Sequence, residues 1–178
     1  MSNKAETLIN NIKLYAGQGV YDNINNNCGD LGDKPTPVKQ AKYVVSIMEK
    51  LPEYCNKEKI SEIMQSCGFS CISASVIEKA KKLYADSSDI SEFLGKLNQN
   101  HIGGGKLHIE RDKIIGIYEY CYCGLAKTAK NLSPDYCNCS AGWFKKLFSA
   151  ILDKDIVVKK QKTILGGANE CVFEIFAL

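Results

Sequence analysis

The hydrophobic residues of the first hundred positions recur at steps of three and four, which is the period of an amphipathic helix. Five such stripes lie in the segments 8–15, 38–48, 60–67, 76–83 and 90–97. Polar residues fill the positions between them, so each predicted helix has one face suited to a core. We therefore predict that residues 1–100 form a mainly helical region.

The ends of these helices carry local signals. Thr36 followed by Pro37 predicts an N-cap and a first helical residue, and Ser73 predicts the start of the fourth helix. Gly68 predicts the end of the third. The segment 17–34 is rich in Asn and Gly, and we interpret it as a loop.

From His101 onward the pattern changes to short runs typical of strands. Three glycines at 103–105 precede the segments 107–110 and 114–123, which flank a polar turn at Arg111-Asp112 and predict a β-hairpin. Ser140 is then the predicted N-cap of a helix with a stripe at 143–151. The segments 156–158 and 172–176 around Gly166-Gly167 predict a second hairpin.

This order predicts an α+β fold, in which a helical N-terminal half packs on an antiparallel sheet made of two C-terminal hairpins with an intervening helix. At 178 residues the chain suits one domain, spanning 1–178. Within it, residues 1–100 are mainly helical, and residues 101–178 form the hairpin, helix and hairpin that carry the cysteine motifs described next.

Composition narrows the classes of function. The formal net charge is +3 and the lysines are scattered, which argues against a nucleic-acid partner. No segment approaches the ~20 apolar residues that cross a bilayer, so we expect no membrane partner and a cytoplasmic location. Nine cysteines without a secretion signal then indicate reduced thiols rather than disulfides. The oligomeric state, a homodimer included, is left open.

Two Cys-x-Cys motifs, Cys121/Cys123 and Cys137/Cys139, are the most distinctive chemical feature. If each motif is extended, both of its thiols lie on one face, and four sulfurs could satisfy a tetrahedral zinc ion. Free or redox-active thiols and an iron–sulfur cluster are the alternatives. The predicted metal ligands are thus Cys121, Cys123, Cys137 and Cys139.

Other residues extend this candidate site. Cys139 precedes the predicted N-cap Ser140, where the helix dipole would lower its pKa, and Glu119 on the neighbouring strand could act as a general base. These two are the candidate catalytic residues. Cys67 and Cys71 either reach the same site or fill the core, and His101, counted back from the hairpin turn, could be a further ligand.

The C-terminal residues also carry a resemblance. Gly142-Trp143, Val157-Val158, Gly166-Gly167 and the segment 171–175 resemble the close of the 4-vinyl reductase domain, a small-molecule-binding module. Met64, Cys67-Gly68, Cys71 and the segments 121–124 and 136–140 resemble a family related to L-2-amino-thiazoline-4-carboxylic acid hydrolases. The resemblance implies either a binding module or the opening of a cyclic C–N bond.

The leading hypothesis is therefore a small-molecule-binding or sensing domain whose pocket lies between sheet and helices, with zinc held by the four paired cysteines. The alternative is a hydrolase of cyclic C–N bonds, in which Glu119 is the base and a metal-bound water or the Cys139 thiolate attacks the ring. An iron–sulfur or redox-active thiol protein is the third interpretation.

Overall fold

The computed structural model describes residues 4–177, and its N-terminal half is helical, as predicted. The helices are α1 Lys4–Ala16, α2 Gln18–Asn27, α3 Pro37–Lys50, α4 Lys57–Cys71, α5 Ala74–Ala85 and α6 Ile90–Gln99. Thr36 caps α3 by accepting a hydrogen bond from the Lys39 N–H, and Ser73 caps α5 in the same way from Val76. Both predicted caps are confirmed.

The C-terminal half follows the predicted order of hairpin, helix and hairpin, with one short helix, α7, that was not predicted. Its elements are β1 Leu107–Glu110, β2 Lys113–Tyr118, α7 Gly124–Thr128, α8 Asn138–Leu152, β3 Ile156–Lys162 and β4 Cys171–Ala177. The strands form one antiparallel sheet in the order β1-β2-β4-β3, so the two hairpins join through β2 and β4. The predicted α+β fold is confirmed.

Two hydrophobic cores occupy the two halves of the molecule. One lies among α1 to α4 and α7 and includes Ile12, Ile47 and Met64. The other lies between the sheet, α5, α6 and α8 and is centred on Phe144 and Phe173. Helix α8 packs against both α4 and the sheet strand β3, so the two cores meet along it.

Three predicted boundaries were wrong. The segment predicted as a loop from Gly17 contains α2, because Ile24 is completely buried there and Asn23 and Asn27 hydrogen-bond backbone carbonyls one turn earlier. Tertiary packing thus outweighs a weak local propensity. Strand β2 ends at Tyr118 rather than at Cys123, and α8 begins at Asn138 with Cys137, not Ser140, at the N-cap position.

Gly68 is also not the end of α4, which continues to Cys71. Gly68 is buried where α4 crosses α8, and a Cβ atom there would overlap the carbonyl oxygen of Cys139. Gly142 faces it from α8, and a Cβ atom on that residue would overlap the carbonyl oxygen of Gln65. The two glycines let the helix backbones approach more closely than any side chain would allow.

None of the helices within 4–177 is by itself both long and apolar enough to cross a membrane; α4 and α5 meet that standard only as a pair, bent by 81° at the break.

Candidate functional site

The two Cys-x-Cys motifs lie where α4, α8 and the end of β2 meet, and each motif is split. Cys121 and Cys123 follow β2 in a loop, and Cys123 is the N-cap residue of α7. Cys137 is the N-cap residue of α8 and Cys139 is the second residue of that helix. Because an α-helix turns by about 100° per residue, two side chains that are two positions apart point in nearly opposite directions. The expected extended geometry is therefore absent from Cys137/Cys139, and the thiols of both motifs enter two separate groups.

We call the first the lysine-side group, made of Cys71, Cys123 and Cys139 beside Lys4. The Lys4 ammonium donates to Cys123 Sγ at 3.3 Å. Burial opposes the charge of Lys4, but the nearby sulfurs of Cys123, Cys71 and Cys139 outweigh it and raise the lysine pKa. Lys4 thus stays protonated and gives this corner of the molecule a fixed positive charge.

A hydrogen bond between the side chains of Cys71 and Cys139 is the largest cause of the pKa shift of each thiol. The hydrogen bond that Cys139 donates, helped by the charge of Lys4, lowers the pKa of Cys71 to about 6 against the opposing effect of burial. The same hydrogen bond, together with burial, raises the pKa of Cys139 well above its usual range. Cys71 is therefore the thiolate and Cys139 the thiol at neutral pH.

This result reverses the sequence-based prediction for Cys139, whose pKa was expected to fall at the helix N-terminus. The dipole effect is outweighed because the thiol donates its proton to a neighbouring thiolate. Cys71 is solvent-exposed and ends α4, one turn beyond Gly68, so the close crossing of α4 and α8 is what brings the two sulfurs together.

The second group, which we call the sheet-side group, contains Cys121, Cys137 and Cys171. Burial raises the pKa of Cys137 to about 12, and the sulfurs of Cys171 and Cys121 add to that effect. Burial likewise raises the pKa of Cys171, although the Ile164 N–H donates to its sulfur at 3.3 Å. Cys137 and Cys171 therefore stay protonated at neutral pH.

Tyr136 lies between the two groups. Its hydroxyl is 3.9 Å from Cys123 Sγ, and burial raises its pKa. A cavity of about 50 Å³ touches both groups and Tyr136. This volume accommodates water or a small ion but no organic ligand.

Metal binding stays a prediction. Among residues 4–177, no group of three or more His, Cys, Asp or Glu side chains is arranged to hold a metal ion. The four predicted ligands, Cys121, Cys123, Cys137 and Cys139, all border the cavity of about 50 Å³, although their contacts divide them between the two groups. Elemental analysis and a visible spectrum after anaerobic purification test the zinc and iron–sulfur predictions directly.

A larger pocket of about 310 Å³ opens beside the lysine-side group. Its walls are contributed by the end of β2, the start of α8, the end of α4, Lys4 and the glycine-rich turn. They comprise Lys4, Cys71, His101, Gly103, Gly104, Tyr118, Tyr122, Cys123, Cys139, Ser140 and Trp143. His101 thus lies in the same pocket as Cys71 and Cys123, which agrees with the count back from the hairpin turn.

The aromatic wall of this pocket is fixed by contacts on both sides. The Tyr118 ring stacks on Phe144 with centroids 5.3 Å apart and meets Tyr122 edge-on at 5.2 Å. The Tyr122 hydroxyl donates to the Gly104 carbonyl at 3.3 Å, which ties the loop after β2 to the glycine-rich turn. The pocket is thereby preformed by packed rings rather than by free side chains.

Two other predicted residues lie elsewhere. Glu119 is exposed, pairs with Lys106, and is not among the residues that line the pocket. Cys67 is buried one turn before Cys71, where Asn11 donates to its sulfur at 3.2 Å and burial raises its pKa to about 11. Lys4 was missed in the sequence because nothing local marks a lysine that folding places beside thiols over a hundred residues away.

A model of a family of unknown function, DUF6144, matches residues 3–178. No curated protein matches the chain. Among solved structures, an H-NOX protein from S. oneidensis in the Fe(II)NO ligation state is similar at 12% identity, with a TM-score of 0.49 over 100% of this chain and 99% of that one. A mutant H-NOX domain from Shewanella oneidensis in the Fe(II)CO ligation state is similar at 13% identity, with a TM-score of 0.42 over 99% and 97%. Both scores lie below 0.5, so neither similarity bears on the chemistry of this chain.

Proposed function

The chain belongs to the DUF6144 family, whose function is unknown, and we propose from its own geometry that it is a small-molecule-binding domain with a thiol-lined pocket. The observation that carries the proposal is the pocket of about 310 Å³ beside Cys71 and Cys139. Its volume lies at the lower end of the range for small-molecule sites.

The composition of the walls indicates the class of ligand. Tyr118, Tyr122 and Trp143 supply aromatic surface, while Lys4 and Ser140 supply polar groups at one side. Sites of this kind hold small ligands by apolar contact and orient them with a few polar groups. A compact ligand that combines a ring with a hydrogen-bond acceptor fits both walls.

The resemblance of the C-terminal residues to the 4-vinyl reductase domain supports the same proposal, since that module binds small molecules. The hydrolase interpretation has a resemblance of the same kind, but the geometry around its proposed base does not support it. Its proposed base Glu119 is held in an exposed ion pair with Lys106, away from the pocket that Cys139 lines.

A titration with the fluorescent probe 8-anilinonaphthalene-1-sulfonate tests the pocket. Trp143 is the chain's single tryptophan and lies in the pocket wall, so a bound probe should quench its emission by energy transfer. We expect saturable quenching by the reduced protein. A Ser140→Leu substitution, which places a larger side chain in the pocket, should weaken binding by about tenfold, equivalent to ~1.4 kcal/mol.

The matched control is Ser149→Leu, because Ser149 lies on the same helix, is also half-buried, and does not line the pocket. Binding by this variant should equal that of the unmodified protein. Equal weakening by both substitutions, or no saturable quenching at all, would contradict the proposed pocket.

A further inference from the structure

The thiols of Cys71 and Cys139 are capable of a reaction that small-molecule binding does not require. They line the same pocket together with Lys4, and they come from helices that cross at Gly68 and Gly142. Cys71 is exposed and borders both the pocket of about 310 Å³ and a wider cleft of about 1060 Å³. A reagent in solution can therefore reach this residue.

We propose that Cys71 and Cys139 form a thiol–disulfide redox site that reduces hydroperoxides, with Cys71 as the attacking sulfur and Cys139 as the resolving sulfur. A reactive thiol needs accessibility and nearby positive charge, and a resolving thiol within reach. Cys71 has all three. This activity is separate from ligand binding and does not require the pocket to hold a ligand.

The first step forms sulfenic acid. The Cys71 thiolate attacks the terminal oxygen of the hydroperoxide, an S–O bond forms as the O–O bond breaks, and the departing oxygen takes a proton from water and leaves as an alcohol or as water. Lys4 lines the same pocket, and its positive charge favours the ionised form of the Cys71 sulfur that makes this attack. Lys4 places a positive charge near the departing oxyanion.

The second step forms the disulfide. Cys139 loses its proton and attacks the Cys71 sulfur, the S–S bond forms as the S–O bond breaks, and the departing hydroxide takes up the released proton to give water. The two sulfurs together lose two electrons, which the hydroperoxide gains.

The position of Cys71 favours closure of this bond. The residue is the last of α4, and the next residue, Ile72, already has extended backbone angles. A disulfide holds its two sulfurs ~2.05 Å apart, so the Cys71 side chain must move towards Cys139 for the bond to form. A helix terminus can move in this way with little disturbance of the crossing one turn earlier.

The decisive experiment treats the reduced, full-length protein with one equivalent of hydrogen peroxide and maps the thiols by differential alkylation and mass spectrometry. We expect the loss of two thiols per chain and a peptide pair joined through Cys71 and Cys139. Dithiothreitol should restore both thiols. Oxidation confined to other cysteines, or protein that stays fully reduced, would overturn the proposal.

Two variants separate the roles. The Cys139→Ser variant should keep sulfenic acid on Cys71, where dimedone traps it. The rate at which the Cys71→Ser variant reacts with peroxide should be lower by about tenfold or more. Cys55→Ser, at a half-buried thiol that borders neither the pocket nor the cleft, should behave like the unmodified protein. Absence of trapped sulfenic acid on Cys71 in the Cys139→Ser variant would refute the assigned order.

If a variant does not fold, as circular dichroism would show, the mapped disulfide of the unmodified protein decides the matter alone. The pocket is tested in fully reduced protein, so failure of the redox site and failure of the pocket give different results.

Discussion

The lysine-side and sheet-side groups each contain one cysteine from each Cys-x-Cys motif and one from elsewhere in the chain, and these last two, Cys71 and Cys171, have pKa values shifted in opposite directions. In the lysine-side group the pKa of Cys71 is lowered to about 6, whereas in the sheet-side group burial raises the pKa of Cys137 to about 12. In the lysine-side group, Cys71 accepts a hydrogen bond from Cys139 and lies near Lys4. In the sheet-side group, Cys137 is buried against the sheet. The environment of a cysteine, not its motif, decides whether it is reactive.

The largest effect is expected from substitutions that force α4 and α8 apart where they cross beside the lysine-side group. Gly142→Ala places a methyl group on the carbonyl oxygen of Gln65, and Gly68→Ala places one on that of Cys139. Backbone cannot move aside as a side chain can, so each substitution should lower the free energy of unfolding by about 3 kcal/mol. Urea denaturation measures the loss.

Gly95→Ala is the matched control, because Gly95 lies inside α6 with nothing within 4 Å of its added methyl group. It should leave stability unchanged or raise it by up to ~1 kcal/mol through helix propensity. If Gly142→Ala is as stable as Gly95→Ala, the helices do not cross as closely as described.

The second prediction compares the reactivity of the two groups directly. With iodoacetamide, the alkylation rate of Cys71 should rise between about pH 5 and 7 and level off above, since its thiolate forms around its lowered pKa. Cys137 should still be accelerating above pH 9, because its pKa is raised to about 12. At pH 7 the thiolate fractions differ by roughly five orders of magnitude, but the weaker nucleophilicity of a low-pKa thiolate reduces the rate ratio to roughly a hundredfold.

Quantitative mass spectrometry of the alkylated peptides measures both rates in one sample, so Cys137 serves as the internal control for Cys71. Equal rates at pH 7, or a Cys71 rate that keeps rising above pH 8, would show that the two groups do not differ as the structure indicates.

The fold was predictable because its signals are local. Hydrophobic periods marked the helices and both hairpins, and Thr36 and Ser73 marked caps that the structure confirms. The helix α2 was missed because its burial depends on packing against other helices rather than on its polar composition.

The chemistry of the site was less predictable because it depends on a contact between distant segments. Alternation along a strand was assumed for Cys121/Cys123 and Cys137/Cys139, but these residues are in a loop and at a helix start. The low pKa of Cys71 requires α4 and α8 to touch at Gly68, a residue whose type alone suggests a helix end. Sequence therefore located the cysteines of the site but not which of them ionises.

The smallest predicted effect isolates the charge of Lys4. The lysine is one cause of the lowered pKa of Cys71, after the hydrogen bond from Cys139, so Lys4→Met should raise that pKa by less than about one unit. The Cys71 alkylation rate at pH 6 should then fall about two- to fivefold, since fewer thiolates are present. Lys160→Met is the reciprocal control, because Lys160 lowers the pKa of Cys137 and is not a cause of the shift at Cys71. A fall in Cys71 reactivity of the same size in both variants would mean that the two groups share one electrostatic environment, contrary to the division described above.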